Sequence, residues 1–259
     1  MTVLTESTDD RGVAELWLNR PDAHNALSAE LIDALHGAAT RLGADPSVRA
    51  VVLAGTGRSF CAGGDLGWMK AQHGADAAVR GAEARRLADM LRALYELPKP
   101  LIARIHGNAF GGGVGLTAVA DIAVAAEGVR FGLTETRLGL IPATIGPYVA
   151  AALGPGPARR IFFTGRLFDA AEAHAMGLVA RLTSPGDLDA AVEAEIAPVL
   201  SAAPGAVARA KAYLRSLGGE VDEVAITASI HALSETWNDP EASAGITAFF
   251  AKKPPPWAG

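Results

Sequence analysis

Apolar residues fall in short blocks along the first half of the chain, and each block is ended by glycine or proline. Residues 13–19 form an apolar run closed by Arg20-Pro21, a strand meeting a turn signal. Ser28 is a favourable N-cap, and apolar positions across 29–42 recur at helical spacing until Gly43 and Pro46 stop them. Residues 49–54 read as a short strand rich in β-branched side chains, which runs into a loop over 55–64. A helix follows, clearest over 82–97 and ending before Pro98 and Pro100. Then come a strand at 101–105, a triple-glycine turn, a helix at 113–120 and a strand at 122–125. Beyond Leu153 the strand signal fades, and only 178–182 looks extended. Residues 187–252 read as helices punctuated by Pro204, Gly218-Gly219 and Pro240. Strand–helix alternation with short connections predicts a layered α/β core followed by a helical C-terminal section, without a short internal repeat or a linker.

Two glycine-rich turns stand out against this pattern. One is Phe60-Cys61-Ala62-Gly63-Gly64-Asp65-Leu66, and the other runs from Gly107 to Leu116 with Gly111-Gly112-Gly113 at its centre. Each follows a strand-like run. Consecutive glycines carry no side chain to pack, so they make sense where backbone N–H groups must approach a ligand at a helix start. Such an end offers free donors and a positive dipole to an anion. Two of these converging on one carbonyl oxygen would form an oxyanion hole.

Composition narrows the classes. The chain has 259 residues, half of them hydrophobic and a fifth charged (50% and 20%), so it can bury a sizeable core. A net charge of −5 with no Lys/Arg-rich block argues against nucleic acid as partner. The polar, acidic stretch 1–11 has the features of neither a secretory signal nor a matrix-targeting presequence. His106, Asp121 and many glycines interrupt the most apolar stretch, 101–126, which therefore does not read as a membrane span. The single cysteine, Cys61, allows no internal disulfide and fits a cytoplasmic location. The six histidines show no metal-ligand spacing, so no metal is expected.

The two turns, together with Phe131-Gly132-Leu133-Thr134-Glu135 and Gly139-Leu140-Ile141-Pro142, resemble the enoyl-CoA hydratase/isomerase (crotonase) family, in order and across residues 13–253. The resemblance implies a spiral core of ββα units over residues 1–195 and a helical trimerisation region over 196–259. It further implies a homotrimer or dimer of trimers and an acyl-CoA thioester substrate, with coenzyme A as part of that substrate and no separate cofactor. Matched residue by residue, the oxyanion donors are the N–H groups of Gly64 and Gly112, and the catalytic carboxylate is Glu135. His24, Ala26, Ala62, Asp65, Leu66, Trp68, Gly111 and Pro142 are implied along the substrate path. Asp65 has a second reading as a helix cap, and Trp68-Met69 as plain apolar packing. Cys61, beside the first turn, reads as a small packed residue because no local base would make it a thiolate. His106 reads as packed, and Lys252-Lys253 either reach the CoA phosphates or form a solvated tail.

One position departs from the family pattern. The familiar hydratases carry a second glutamate three residues after the oxyanion glycine, and here that position is Gly115. A helical spacing of three puts 112 and 115 on one face, so a glutamate there would face the thioester. Hydration by two carboxylates is therefore not available in its usual form. Three readings remain. Glu135 alone handles water, as implied by a likeness of 108–116, 135–144 and 66–69 to methylglutaconyl-CoA and isohexenylglutaconyl-CoA hydratases. Their substrates carry a second carboxylate that wants a cation, for which Arg137 is a candidate, although it also reads as a surface or interface residue. Alternatively, a single glutamate shifts a double bond, as the isomerases of the family do. In the third reading, the chain binds acyl-CoA without turnover.

Overall fold

The computed structural model describes residues 2–217 and 221–258. The described residues form strands β1 Leu4–Thr8, β2 Val13–Leu18, β3 Ala50–Gly55, β4 Ser59–Cys61, β5 Leu101–Ile105, β6 Asn108–Phe110, β7 Ile122–Ala126, β8 Arg130–Gly132, β9 Leu167–Asp169 and β10 Arg181–Thr183. The helices are α1 Ala29–Ala44, α2 Leu66–Gly74, α3 Ala77–Tyr95, α4 Gly112–Val119, α5 Gly146–Leu153, α6 Pro155–Phe162, α7 Ala170–Ala175, α8 Leu188–Ser201, α9 Pro204–Leu217, α10 Glu223–Asn238 and α11 Pro240–Phe250.

The strands divide between two sheets. One runs β1-β2-β3-β5-β7-β10 and the other β4-β6-β8-β9. Successive pairs β3–β4, β5–β6 and β7–β8 each send their first strand to the large sheet and their second to the small one. Both rows are parallel, with Ile102 opposite Ile122 in one and Ala109 opposite Phe131 in the other. Helices follow each pair, so the chain climbs as a spiral of ββα turns. The repeat that the sequence hides is thus geometric: the runs AVVLAG, LIARI and IAVAA share apolar character and nothing closer. Every residue of β3 is buried, as a central parallel strand covered on both faces requires.

Several elements differ from the sequence reading. The helix expected from 82 begins at Ala77, where Asp76 caps it by accepting from the Val79 N–H, and it ends at Tyr95. The loop over 55–64 contains β4, and the glycine turn contains β6. The polar β1 pairs antiparallel with β2, Leu4 opposite Leu18, and covers the edge of the large sheet. Past Leu153 there are two strands, β9 and β10; Leu178 and Val179, expected to be extended, are buried residues leading into β10. The Gly218-Gly219 break lies outside the described residues. Among the described residues no single helix is long and apolar enough to cross a membrane, and no three metal-binding side chains cluster.

The main hydrophobic core fills the spiral. A second, small core lies apart from it, made by Ala84, Leu140, Leu233, Trp237, Ala242 and Ile246, with Met69 and Leu138 packed against it. It joins α3, α10 and α11 to the segment around 138–143. The contact between α11 and that segment is backbone to backbone: a Cβ on Gly245 would lie 2.4 Å from the Leu138 carbonyl oxygen.

Candidate active site

The first glycine turn leaves β4 and enters α2. The Ala62 N–H donates to the His24 carbonyl at 3.0 Å. Leu27 donates to the Gly63 carbonyl at 2.7 Å and accepts from the Asp65 N–H at 3.1 Å. This bridge brackets Gly64, whose own N–H has no acceptor among the described residues. Asp65 caps α2 by accepting from Gly67 at 2.8 Å and Trp68 at 3.1 Å, and it pairs with Arg20 at 2.9 Å. Burial pushes its carboxyl up, but the Arg20 guanidinium and these N–H groups outweigh burial and hold it below the usual range. Burial pushes the Cys61 thiol up to about 12, so at neutral pH it is a packed, protonated side chain and not a nucleophile.

The second turn leaves β6 and enters α4. Gly111 sits at φ +49, where a side chain would be strained, and its N–H donates to the Gly132 carbonyl at 2.9 Å. Gly112 opens α4, and its N–H is one of the orphan donors of the first helical turn. The two turns touch: a Cβ on Gly63 would lie 2.9 Å from the Phe110 carbonyl oxygen and 3.5 Å from the Gly112 nitrogen.

Glu135 begins the 3-10 turn Glu135–Leu138. A Cβ on Gly111 would lie 2.9 Å from its Oε1, so the glycine at 111 is what gives the carboxylate room. Its Oε2 is buried and has no hydrogen-bond partner among the described residues. Burial therefore pushes its pKa up to about 7, with no neighbouring cation to oppose the shift. A carboxyl poised there can both take and give a proton at neutral pH.

Gly64, Gly112 and Glu135 border one cavity of about 100 Å³. Of the other residues the sequence singles out, Trp68 and Pro142 line it, while Gly111 stands behind Glu135. His24, Ala26, Ala62, Asp65 and Leu66 do not. His24 holds Ser59 at 3.0 Å from its Nδ1, the Ala26 carbonyl accepts from Arg20, and Leu66 is 54% exposed. Through these contacts His24, Ala26 and Asp65 brace the first turn, to which Ala62 and Leu66 themselves belong. Arg137 is a correction: it is exposed, its stem packs against Gly165, and it is not among the cavity residues, so it supplies no cation there. Lys252 and Lys253 are exposed past α11, and His106 lies 3.0 Å from the Gly57 carbonyl oxygen.

Most of the far wall escapes the sequence reading, which singles out Met69 beside Trp68 but not the residues of α3 and α10. Leu27, Met69, Leu87, Leu140, Leu233 and Trp237 complete an apolar lining in which, among the described residues, Glu135 is the one ionisable side chain. Leu233 and Trp237 are four apart on α10 and so share a face, a spacing that could have flagged them. Gly115 lies one turn into α4, and a Cβ there would be 2.4 Å from Cγ2 of Ile145. Ile145, itself a cavity residue, thus takes the space beside position 115.

With this geometry in place, comparison with known proteins is decisive. A sequence profile described as enoyl-CoA hydratase/isomerase matches residues 8–259. The chain belongs to the enoyl-CoA hydratase/isomerase family. A Thermus thermophilus protein provisionally named an enoyl-CoA hydratase is 36% identical over 94% of this chain and 96% of its own. The crystal structure of an enoyl-CoA hydratase from Mycobacterium smegmatis is 37% identical, covers 100% of both chains and superposes with a TM-score of 0.81. One from Mycobacterium avium, 33% identical over 100% of both chains, reaches 0.89. The spiral and the helical C-terminal region are thus those of a crotonase-type enzyme.

Proposed function

We propose that the protein is a hydro-lyase that adds water across the double bond of an α,β-unsaturated acyl-CoA thioester. One observation carries this reading: two acceptor-free backbone N–H groups and a buried carboxyl of raised pKa border a single apolar cavity. The thioester oxygen accepts from Gly64 and Gly112. Glu135 takes a proton from water as the oxygen bonds to the β-carbon, and the displaced π electrons move onto the thioester oxygen as an enolate. Glu135 then returns the proton to the α-carbon, and the thioester re-forms. Preorganised donors in a dry site are worth most where charge develops. Coenzyme A enters only as part of the substrate. Tyr213, Leu214 and Leu217, exposed apolar residues of α9, offer a surface for self-association, expected as a homotrimer or dimer of trimers.

A second reading has its own observation. Ile145 packed on Gly115 leaves Glu135 as the one proton carrier at the cavity, which is all that a double-bond shift requires. Pure binding without turnover is disfavoured, because a desolvated carboxylate is a standing cost to stability that mere binding would not need. The absence of a cation among the lining residues favours an uncharged acyl group over a glutaconyl one.

Crotonyl-CoA, a longer 2-enoyl-CoA, a 3-enoyl-CoA and 3-methylglutaconyl-CoA, each offered to wild type and Glu135→Gln, test these readings. Hydration of an uncharged 2-enoyl thioester, abolished in the variant, is expected. Conversion of the 3-enoyl substrate alone would make the protein an isomerase. Tight binding with no turnover would end the catalytic reading.

A further inference from the structure

Among the described residues, Arg80 is the one cation whose hydrogen bonds join three of the helices around the cavity, α2, α3 and α10. It sits on the first turn of α3, half-buried, directly after the break between α2 and α3. At the end of α2 the Arg80 fork reaches two carbonyls: Nε donates to that of Gln72 at 3.0 Å, which also accepts from the Ala75 N–H at 3.2 Å, and Nη2 donates to that of His73 at 3.4 Å. Nη1 donates to Oδ1 of Asn238, the last residue of α10, at 2.9 Å. The guanidinium carbon lies 5.7 Å from the centroid of the Trp237 ring. Among the described residues no carboxylate pairs with Arg80. Its charge is thus directed at two carbonyls, one amide and one aromatic face. A planar fork can do this, whereas an ammonium can satisfy only part of it.

Trp237 matters because this side chain, 7% exposed, also lines the cavity with Leu233. The cavity itself is small. At about 100 Å³ it is below the roughly 150 Å³ of an engineered cavity that takes benzene. A longer acyl group directed at this end of the cavity meets Leu233 and Trp237, and that α10 part of the wall is joined to α2 through Arg80.

We propose that Arg80 is a positioning residue that sets the acyl-length limit of the site by holding Trp237, and with it α10, against α2. The proposal rests on the acyl-CoA reading above. It predicts a change in preference, which a general loss of stability would not produce.

The test measures kcat and KM for 2-enoyl-CoA thioesters of four and ten carbons with wild type, Arg80→Gln, Arg80→Lys, Trp237→Ala and the Arg80→Gln/Trp237→Ala double variant. In Arg80→Gln the ten-carbon to four-carbon ratio of kcat/KM should rise about tenfold, mainly through a lower KM for the long chain, since pocket contacts worth a methylene discriminate on this scale. Arg80→Lys should fall between wild type and Arg80→Gln. Because both changes release one wall, the double variant should show little more than Trp237→Ala alone. An unchanged ratio with both substrates losing in parallel would overturn the role of Arg80, as would full additivity in the double variant. If Arg80→Gln does not fold, the Arg80→Lys ratio decides by the same criterion. No turnover of any thioester by wild type would instead overturn the acyl-CoA reading, and this proposal with it.

Discussion

The floor and the roof of the cavity are held by different physics. The floor is backbone: two glycine turns anchored by ladder-like hydrogen bonds to Leu27, His24 and Gly132 and close enough to touch through Gly63 and Gly112. The roof is side chains: a small separate core around Leu233, Trp237, Ala242 and Ile246, joined to α2 by Arg80 and by the Trp68 indole donating to Glu83 at 2.8 Å. The N–H groups of the floor belong to main chain, which no substitution other than proline deletes. Groups that only shape the substrate envelope are built from replaceable residues.

That division can be broken first at the floor. Gly112→Pro removes the donor N–H at a helix position that tolerates proline. Gly112→Ala places the same Cβ about the same distance from Leu27 Cδ1, 2.6 Å in the present geometry, yet keeps the N–H. We expect the proline variant to fall a further roughly hundred- to thousand-fold in kcat, about 3–4 kcal/mol, below the alanine control. Equal activities for the two would mean the donor is not used.

A somewhat smaller effect is expected from pH. Glu135 has a folded pKa of about 7 against 4.5 for an ordinary glutamate, so the folded state holds its proton more tightly. Its contribution to stability is intact below about pH 4.5 and is lost as pH rises through 7, amounting to about 3 kcal/mol once complete. Glu135→Gln should flatten that part of the stability curve and raise the denaturation midpoint above pH 8, while abolishing turnover. Wild-type kcat/KM for hydration should rise with pH through about 7, as the free-enzyme base ionises. A midpoint that shows no difference between wild type and variant across this window would place Glu135 in a wetter site.

The smallest effect sharpens the comparison from above. Leu233→Ala empties part of the roof core and should cost about 2 kcal/mol, the low end for such truncations, because the side chain borders a cavity. The pH at which hydration reaches half its maximum should stay where it was. A displaced profile would show that the roof tunes the carboxylate and does not merely cover it.

The parts legible in the sequence are those fixed by local chemistry. Residues 50–55, 101–105 and 122–126 are apolar runs with glycine or charged stops, and the two glycine turns declare themselves because nothing but close backbone approach explains them. Glu135 was legible through its Phe-Gly context. The three-residue strands β4, β6, β8 and β9 were not, since each is a strand only because a neighbour is in register, as Ala109 is with Phe131. The start of α3 was missed for a different reason: Asp76 is a plain N-cap signal, but the apolar face strengthens only later. The roof was illegible because α10 reaches Glu135 across a long span of chain, and no local pattern says which face of a late helix will return to the site.

Gly115 and Ile145 carry a historical consequence. Even a methyl at 115 would meet the isoleucine at 2.4 Å, so a carboxylate cannot be acquired there by one substitution without ejecting its neighbour. Shrinking Ile145 first would leave a void at the cavity wall and no acid to fill it. Whichever change comes first is disfavoured until the other follows, and the pair behaves as an epistatic ratchet that keeps descendants of this protein committed to a single carboxylate.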